Sequence, residues 1–286
     1  MHQRIISLAP SNTEILYALG AQDRLVAVTR YCDFPEEANK KPRIGGWLDI
    51  NDELVKSYNP DLILTSTFVQ NKITSRYKKS KMNIVALMPT TLKGVFDSIA
   101  EIGKLVDKER EANKLVNSMK NKFYEIENKI KQQSIKKSLN NNSIKNKNIK
   151  IKNYKPRVYI EEWHKPPTVS GNWVPTLVKM AGGDYSLIKA GVHSKEVTTS
   201  QIQKYNPEII IISICGMADK APKEWVTKRD GWENLSAVQN NKVFVFDDSF
   251  LNRPGPRLAI GIEKLAEAVR PEFFNVPAAE QVLEQV

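Results

Sequence analysis

One ten-residue phrase occurs twice in this chain of 286 residues, and the repeat constrains the fold more than any other feature. Residues 57–66 read SYNPDLILTS, and residues 204–213 read KYNPEIIIIS. Each copy turns at an Asn-Pro pair, because proline cannot continue a helix and pushes the residue before it toward extended geometry. The short apolar run that follows is typical of a strand buried on both faces, as in a parallel sheet. The duplication therefore predicts two similar α/β lobes with a cleft between them, where ligands bind preferentially.

Further short apolar runs, separated by helical patterns, extend this α/β prediction over both halves of the chain. Ser11, three residues before Glu14, predicts a capping box at the start of the first helix, which Gly20 ends. A final amphipathic helix ends before Pro271. The alternation favours parallel sheets with helices on both faces. The predicted strands are residues 4–8, 26–29, 62–65, 84–87, 157–160, 209–212 and 242–246.

A long helical pattern separates the two halves. Between Ala112 and Ile130, apolar residues recur at alternating intervals of four and three, which is typical of an amphipathic helix. We predict one continuous helix over residues 93–130, a stiff strut between two lobes; the alternative is a pair of core helices with a break near Asp107. The predicted division is an N-terminal α/β lobe at 1–92, a linker helix at 93–130, a disordered insertion at 131–155 and a C-terminal α/β lobe at 156–286.

The net charge of +11 does not indicate a nucleic-acid-binding protein, because much of it is local. Residues 131–155 hold eight lysines and no acid, interleaved with asparagine and serine rather than with aromatic residues. Such composition is typical of a solvated, disordered insertion; a weak contact with an anionic surface is the alternative. We therefore expect no nucleic-acid partner.

The bulk composition indicates a globular protein. Apolar residues make up 41% of the chain, and no run of eighteen of them predicts a membrane span. The chain as written enters a strand without the apolar region of a secretory signal, so we expect a cytoplasmic location unless a signal has been removed. The two cysteines, Cys32 and Cys215, are too few to predict a disulfide framework.

Several motifs in both halves resemble those of one protein family. The chain resembles the substrate-binding proteins of ABC importers for cobalamin and iron-siderophores, whose two lobes are joined by one backbone helix. The motifs that carry this resemblance are residues 4–14, 31–35, the two Asn-Pro-acid strands, and residues 166–171, 180–183 and 256–257. A closer similarity to the proteins called cobalamin-binding proteins rests on residues 171–175, 215–216 and 252–257.

The resemblance implies two Rossmann-like lobes with central parallel sheets and a ligand cleft between them. It implies a corrinoid as a bound ligand rather than as a catalytic cofactor, and an ABC permease as partner. The alternative ligand is an iron-siderophore, haem or another metal chelate. The alternative role is a cytoplasmic corrinoid carrier or sensor without a permease. The family resemblance implies an extracytoplasmic or membrane-associated location, and we expect a monomer.

Aromatic residues follow the predicted strands, and ligands of such folds bind at the carboxyl ends of strands. A large planar ligand gains burial and stacking from aromatic faces, whereas ordinary core packing is the alternative explanation. The candidate ligand-binding residues are Tyr31, Trp47, Phe68, Trp163 and Phe250.

Cys32, His193 and Cys215 are the candidate metal ligands. Thiolate and imidazole bind zinc, iron or the cobalt of a corrinoid, and Cys215 follows the second repeated strand. No local spacing such as CxxC supports a metal site. The alternative is two buried small apolar side chains and a surface histidine.

The resemblance also suggests how a permease would be contacted. Glu53 corresponds to a first-lobe surface glutamate that docks onto permease arginines, whereas Asn252 stands where the second-lobe glutamate is expected. A neutral amide cannot supply that ion pair. Arg253 and Arg257 are predicted to brace the turn around them, with binding of an acidic ligand as the alternative.

We expect no enzyme activity. The sequence contains no GxSxG, P-loop, HExxH or GxGxxG motif. Glu161 and Glu162 are adjacent on a predicted strand and therefore point to opposite faces, which makes them poor partners in acid–base catalysis. A nucleophile pair of Cys215 and His193 is the remaining enzymatic alternative.

Overall fold

The computed structural model describes residues 3–140 and 154–274. Contacts divide the chain into two compact units. Unit 1 comprises Met1–Met119 and Arg253–Leu258, and unit 2 comprises Lys120–Asn252 and Ala259–Val286. The four-part division predicted from the sequence stays a prediction, and residues 141–153 of its insertion lie outside the described residues.

Unit 1 is built on a four-stranded parallel sheet with the strand order β2-β1-β3-β4. All four residues of β3, the strand of the first repeated phrase, are buried, as its apolar run predicts. The elements up to the end of this sheet region are β1 (Ile5–Ser7), α1 (Pro10–Ala18), β2 (Leu25–Val28), α2 (Asp52–Ser57), β3 (Leu62–Thr65), α3 (Asn71–Lys79), β4 (Ile84–Ala86) and α4 (Leu92–Leu105). The next helix, α5 (Glu109–Asn140), contributes to both units.

Unit 2 is built on a five-stranded sheet with the order β7-β6-β5-β8-β9, in which β5, β8 and β9 are parallel and β6 and β7 form an antiparallel edge. Its further elements are β5 (Val158–Trp163), β6 (Thr168–Val169), α6 (Val174–Met180), β7 (Lys195–Glu196), α7 (Thr199–Tyr205), β8 (Ile209–Ile212), α8 (Glu224–Thr227), α9 (Ser236–Gln239), β9 (Val243–Val245) and α10 (Leu258–Val269). The predicted α/β class with two lobes around parallel strands is thereby confirmed.

The repeated phrase occupies the same place in both sheets. β1 pairs with β3 so that Ile5 faces Leu62, and β5 pairs with β8 so that Val158 faces Ile209. The two copies therefore share their pairing with the neighbouring strand as well as their sequence.

An arginine before the first strand of each sheet extends the duplication beyond the phrase itself. In unit 1 the backbone N–H of Arg4 donates to Asp61 Oδ1 at 3.1 Å, and its Nε donates to the carbonyl of Asn59 at 3.2 Å. In unit 2 the N–H of Arg157 donates to Glu208 Oε2 at 3.1 Å, and its Nε donates to the carbonyl of Asn206 at 2.8 Å. Each arginine thus ties the Asn-Pro turn to the neighbouring strand.

The residue before each proline differs from the extended geometry that the sequence predicts. Asn59 and Asn206 have φ angles of 43° and 47°, in the left-handed region. Proline excludes the right-handed helical region for the residue before it, and asparagine tolerates the left-handed one. Asparagine therefore ends the helix and reverses the chain in both copies.

The prediction of one continuous helix over residues 93–130 is wrong, and the alternative of a break near Asp107 is observed. α4 ends at Leu105, and Asp107 adopts a φ of 51° before α5 begins at Glu109. Arg24 donates to the carbonyl of Val106 at 2.7 Å and so holds the break against the rest of unit 1.

The C-terminal side of α5 also corrects the predicted insertion, since residues 131–140 continue the helix. Lysine and glutamine are good helix formers, and Ser134 extends the buried stripe one turn beyond Ile130. The helical period therefore outweighs the low-complexity composition over these ten residues.

The predicted capping box at Ser11 is wrong as well. α1 begins earlier, at Pro10, because proline is pre-organised for the first helical position. Ser11 and Glu14 therefore lie inside the helix, where both are buried. A capping box does form at α7, between Thr198 and Gln201.

Among residues 3–140 and 154–274, no helix combines the length and apolar character that crossing a membrane requires.

A Gly103→Ala substitution should destabilise the protein by about 1–3 kcal/mol, because overpacking of a well-packed contact costs about that much. A Cβ at Gly103 would overlap the Cβ of Ala112, where α4 meets α5. Gly94→Ala in the same helix is the comparison, since a Cβ there would lie 3.3 Å from the Cβ of Pro89, a tight contact without overlap. Urea unfolding should show the larger loss for Gly103→Ala. Equal stability of the two variants would contradict this packing.

Candidate functional site

The carboxyl ends of the unit 1 strands carry a set of exposed aromatic side chains. Tyr31 and Phe34 follow β2, Trp47 lies further along the same loop, and Phe68 follows β3. Their exposed fractions range from 36% for Trp47 to 53% for Phe68. We call these four residues the aromatic face. Because parallel strands end at one edge of a sheet, this is the edge where ligands of such folds bind.

Local backbone geometry presents Trp47 on this face. Gly45 has a φ of 123°, and a Cβ there would overlap the carbonyl oxygen of Asp49, so the tight turn requires glycine. The buried Gln70 donates from Nε2 to the carbonyl of Leu8 at 2.8 Å and to that of Trp47 at 3.3 Å. The loops after β1 and β3 are therefore tied to the Trp47 loop.

The rings of the aromatic face have specific neighbours. The Tyr31 and Trp47 rings lie 6.3 Å apart between centroids, with an interplanar angle of 48°. The guanidinium carbon of Arg257 lies 4.2 Å from the centroid of the Phe34 ring. Phe34 was not among the residues predicted from the sequence, although it stands in the same family motif as Tyr31.

Glu14 joins the two arginines of the 253–258 segment beside this face. Its carboxylate, with a side chain 2% exposed, accepts from Arg253 Nη1 at 3.1 Å and from Arg257 Nε at 3.0 Å. Arg253 also donates to Asp33 at 3.1 Å. Burial alone would raise the pKa of Asp33, but the hydrogen bond and charge of Arg253 outweigh it and lower that pKa. Through these contacts Arg253 and Arg257 brace the 253–258 segment, in line with the role predicted for them.

Two arginines of the loop after β2 are also engaged within unit 1. Arg30 forms an ion pair with Asp49. Arg43 donates from Nη1 to the carbonyls of Thr29 and Cys32 at 2.7 and 2.8 Å. Arg30 and Arg43 therefore already have acceptors within the protein.

In unit 2, two candidate aromatic residues lie at or after the carboxyl end of a strand. Trp163 ends β5, is 52% exposed and donates from Nε1 to the carbonyl of Lys165 at 3.1 Å. Phe250 follows β9, and Lys264 Nζ lies 5.6 Å from its ring centroid. The ligand role of Tyr31, Trp47, Phe68, Trp163 and Phe250 stays a prediction.

Glu161 and Glu162 make separate contacts, in line with side chains on opposite faces of the strand. Glu161 is fully buried and accepts from Arg229 through both oxygens, at 2.6 Å each, and from the Tyr159 hydroxyl at 3.0 Å. Glu162 instead accepts from two serine hydroxyls, those of Ser170 at 2.8 Å and Ser194 at 2.6 Å.

Of the three candidate metal ligands, one belongs to unit 1 and two belong to unit 2. Cys32 is fully buried in unit 1, 3.3 Å from Thr29 Oγ1, and burial raises the pKa of its thiol, which disfavours the thiolate a metal needs. In unit 2, His193 Nδ1 lies 3.2 Å from Asn172 Oδ1 and Cys215 Sγ accepts from Asn252. Among the described residues, no group of three or more His, Cys, Asp or Glu side chains could hold a metal ion.

The candidate docking residue Glu53 lies in the first turn of α2 with its side chain 84% exposed, 2.9 Å from Lys56 Nζ. Asn252 has a different role from the glutamate expected at its place. It donates from Nδ2 to the carbonyl of Ser213 at 2.7 Å and so holds the turn after β8.

The half-buried Glu162 carboxylate leads to a testable pH dependence. Burial raises its pKa against the lowering effect of the two serines, and no cation offsets this within the part of the chain that the structure describes. Because the folded state holds the proton more tightly, the ionised carboxylate destabilises the fold at neutral pH, and this penalty disappears as the pH falls through the raised pKa.

Glu162→Gln should therefore melt at a higher temperature than the wild type at about pH 8, and the difference should shrink toward about pH 5. Glutamine keeps an acceptor for the serines without the charge. Melting curves of both proteins across this range measure the difference. A constant difference, or a wild type that is more stable at the alkaline end, would show that burial of the charge carries no penalty.

Comparison with known proteins gives concordant matches over nearly the whole chain. An ABC transporter substrate-binding lipoprotein of Bacillus subtilis is 30% identical over 279 residues, which cover 96% of this chain and 82% of that protein. A vitamin B12-binding protein of Vibrio parahaemolyticus is 25% identical over 269 residues, or 93% of this chain and 88% of that protein.

A solved structure shows the same fold. The crystal structure of a periplasmic solute-binding protein from Staphylococcus epidermidis, described as possibly iron-binding, has a TM-score of 0.72 and 27% identity, covering 94% of this chain and 99% of that one. The family model described as periplasmic binding protein matches residues 5–250. The chain therefore belongs to the periplasmic binding protein family, the substrate-binding components of ABC importers.

Proposed function

We propose that this protein binds a corrinoid and presents it to the permease of an ABC importer. The observation that carries the proposal is the aromatic face of unit 1, whose neighbouring arginines are already neutralised or engaged by the protein itself. The similarity to a vitamin B12-binding protein supports the same ligand class.

The chemistry of this face suits a large, flat ligand without strong net charge. A corrin ring offers extensive apolar surface, and its peripheral amides are neutral. Exposed tyrosine, phenylalanine and tryptophan rings supply area and stacking to such a ligand. Binding therefore draws on burial of the ring rather than on ion pairs.

An anionic metal chelate is the second candidate, and the similarity to the Staphylococcus epidermidis protein favours it. Haem carboxylates and anionic ferric siderophores are recognised best by arginine, which binds carboxylates in bidentate fashion. In this protein Arg253 donates to Asp33 and Glu14, and Arg257 donates to Glu14. An anionic chelate would have to displace these carboxylates, so the corrinoid is the better fit.

Transport requires delivery as well as binding. The exposed Glu53 is the residue we propose for the contact with a permease, through an ion pair with arginine. The similarity to a substrate-binding lipoprotein supports a location outside the cytoplasm. An intracellular corrinoid carrier without a permease would bind the same ligand, and it would be unaffected by a Glu53→Ala change in an uptake assay.

The periplasmic binding protein family is a family of solute-binding proteins rather than of enzymes, which supports a bound and released ligand. The expectation that this ligand lies between the two lobes stays a prediction. So does the participation of Trp163 and Phe250.

Trp47→Ala should weaken the binding of cyanocobalamin about tenfold, since the loss of one well-packed aromatic contact corresponds to about 1.4 kcal/mol or more. The measurement is the change in cobalamin absorbance on titration with purified protein. Tyr124→Ala is the control, because Tyr124 is an exposed ring on α5 that is not on the aromatic face.

Unchanged affinity in the Trp47 variant, with the wild type binding cobalamin, would remove this residue from the site. Failure of the wild type to bind cobalamin, together with binding of haemin or a ferric siderophore, would replace the corrinoid proposal by the second candidate.

A further inference from the structure

His164 follows Trp163 directly, at the carboxyl end of β5. Its ring stacks on the Trp225 ring with 4.2 Å between centroids and an interplanar angle of 17°. Trp225 lies in α8, 61 positions along the chain, so the stack fixes the imidazole from a distant segment. The ring plane of His164 is therefore held in place before any ligand arrives.

Arg229 fixes the tautomer of this imidazole. Its Nη2 lies 2.8 Å from His164 Nδ1. A guanidinium group has only donors, so Nδ1 accepts with its lone pair. The alternative partner of Nδ1 is Glu161 Oε1, which at 3.5 Å is too far for a good hydrogen bond. Arg229 in turn is held by the fully buried Glu161 through two hydrogen bonds of 2.6 Å and lies over the Trp232 ring at 4.1 Å. It cannot turn away without breaking this buried pair.

The neutral ring must then carry its hydrogen on Nε2. Burial, and next the positive charge of Arg229, lower the pKa of His164, which keeps the ring neutral. Within residues 3–140 and 154–274, Nε2 has no hydrogen-bond partner. It is not one of the fully buried polar atoms, so some of its surface reaches solvent. With 17% of the side chain exposed, this N–H is therefore open to solvent.

We propose that His164 binds the ligand as a hydrogen-bond donor from Nε2 to an acceptor oxygen, with Arg229 and Glu161 as the residues that position and polarise it. This inference rests on the proposed function and adds a polar contact to it. Neither ring nitrogen keeps a lone pair for a metal, since Nδ1 is used by Arg229 and Nε2 carries the hydrogen. His164 is therefore excluded as an axial ligand of cobalt or iron.

A corrinoid offers two kinds of acceptor oxygen. The carbonyls of its side-chain amides are present in every complete corrinoid, whereas the phosphodiester belongs to the nucleotide loop, which cobinamide lacks. A contact with an amide affects cyanocobalamin and dicyanocobinamide alike. A contact with the phosphodiester affects cyanocobalamin alone.

The tautomer is tested first, in the wild-type protein without ligand. Nitrogen-15 spectra of histidine-labelled protein at neutral pH should show His164 with its hydrogen on Nε2, assigned by comparison with the His164→Gln variant. Arg229→Lys should release this preference, because an ammonium group cannot reproduce the guanidinium geometry. A hydrogen on Nδ1 in the wild type would overturn the inference whatever the ligand is.

The contact is tested by titration of both corrinoids. His164→Phe keeps the stack on Trp225 but removes the donor, and it should weaken binding roughly three- to tenfold, as the loss of one hydrogen bond does. His164→Gln keeps a donor near the Nε2 position and should recover most of the affinity. Tyr124→Ala, at an exposed ring on α5 that is not on the aromatic face, is the control and should bind as the wild type does.

Equal affinities of His164→Phe, His164→Gln and the wild type would overturn the inference while leaving the corrinoid proposal intact. So would a cobalt absorbance signature of histidine ligation that disappears in both variants. If the wild type binds neither corrinoid, the proposed function fails, and the same three proteins titrated with haemin decide whether His164 donates to a haem carboxylate.

Discussion

The Glu14 carboxylate, held between the guanidinium groups of Arg253 and Arg257, is the interaction on which the arrangement of unit 1 depends. Arg253 lies 239 positions after Glu14 in the chain, and Arg257 lies 243 positions after it. Removing one member of such a buried ion pair leaves an uncompensated charge, which costs about 3–5 kcal/mol. The pairing therefore fixes the 253–258 segment in unit 1 and places Arg257 over Phe34.

The same interaction determines what the aromatic face can recognise. Arginine is the residue that binds anionic ligands best, yet in this protein the arginines nearest the face donate to carboxylates or carbonyls of the chain. Unit 2 follows the same principle, because the fully buried Glu161 engages Arg229 through both oxygens. The aromatic face therefore offers a ligand ring surface rather than unpaired guanidinium groups.

The sequence predicts the parts of this structure that depend on local pattern. The strands Leu62–Thr65 and Ile209–Ile212 follow from the repeated apolar runs. The position of Tyr31 after a strand follows from the α/β alternation. The break at Asp107 is harder to predict, because the apolar stripe of α5 is equally compatible with a longer helix.

Contacts between distant residues were not predictable from spacing. Glu14, three residues after Ser11, fits a capping box, but its partners lie at the other end of the chain. The role of His164 likewise depends on Trp225 and Arg229, which no local motif connects to it. Only a fold that brings these residues together shows why the histidine is a donor and not a metal ligand.

The most direct test of the account is calorimetric titration of the wild-type protein with cobalamin, cobinamide, haemin and an anionic ferric catecholate. Because the arginines are occupied, both corrinoids should bind with a favourable heat and the ferric catecholate should bind far more weakly or not at all. Tighter binding of the anionic chelate than of either corrinoid would contradict the claim that this protein recognises a neutral ring.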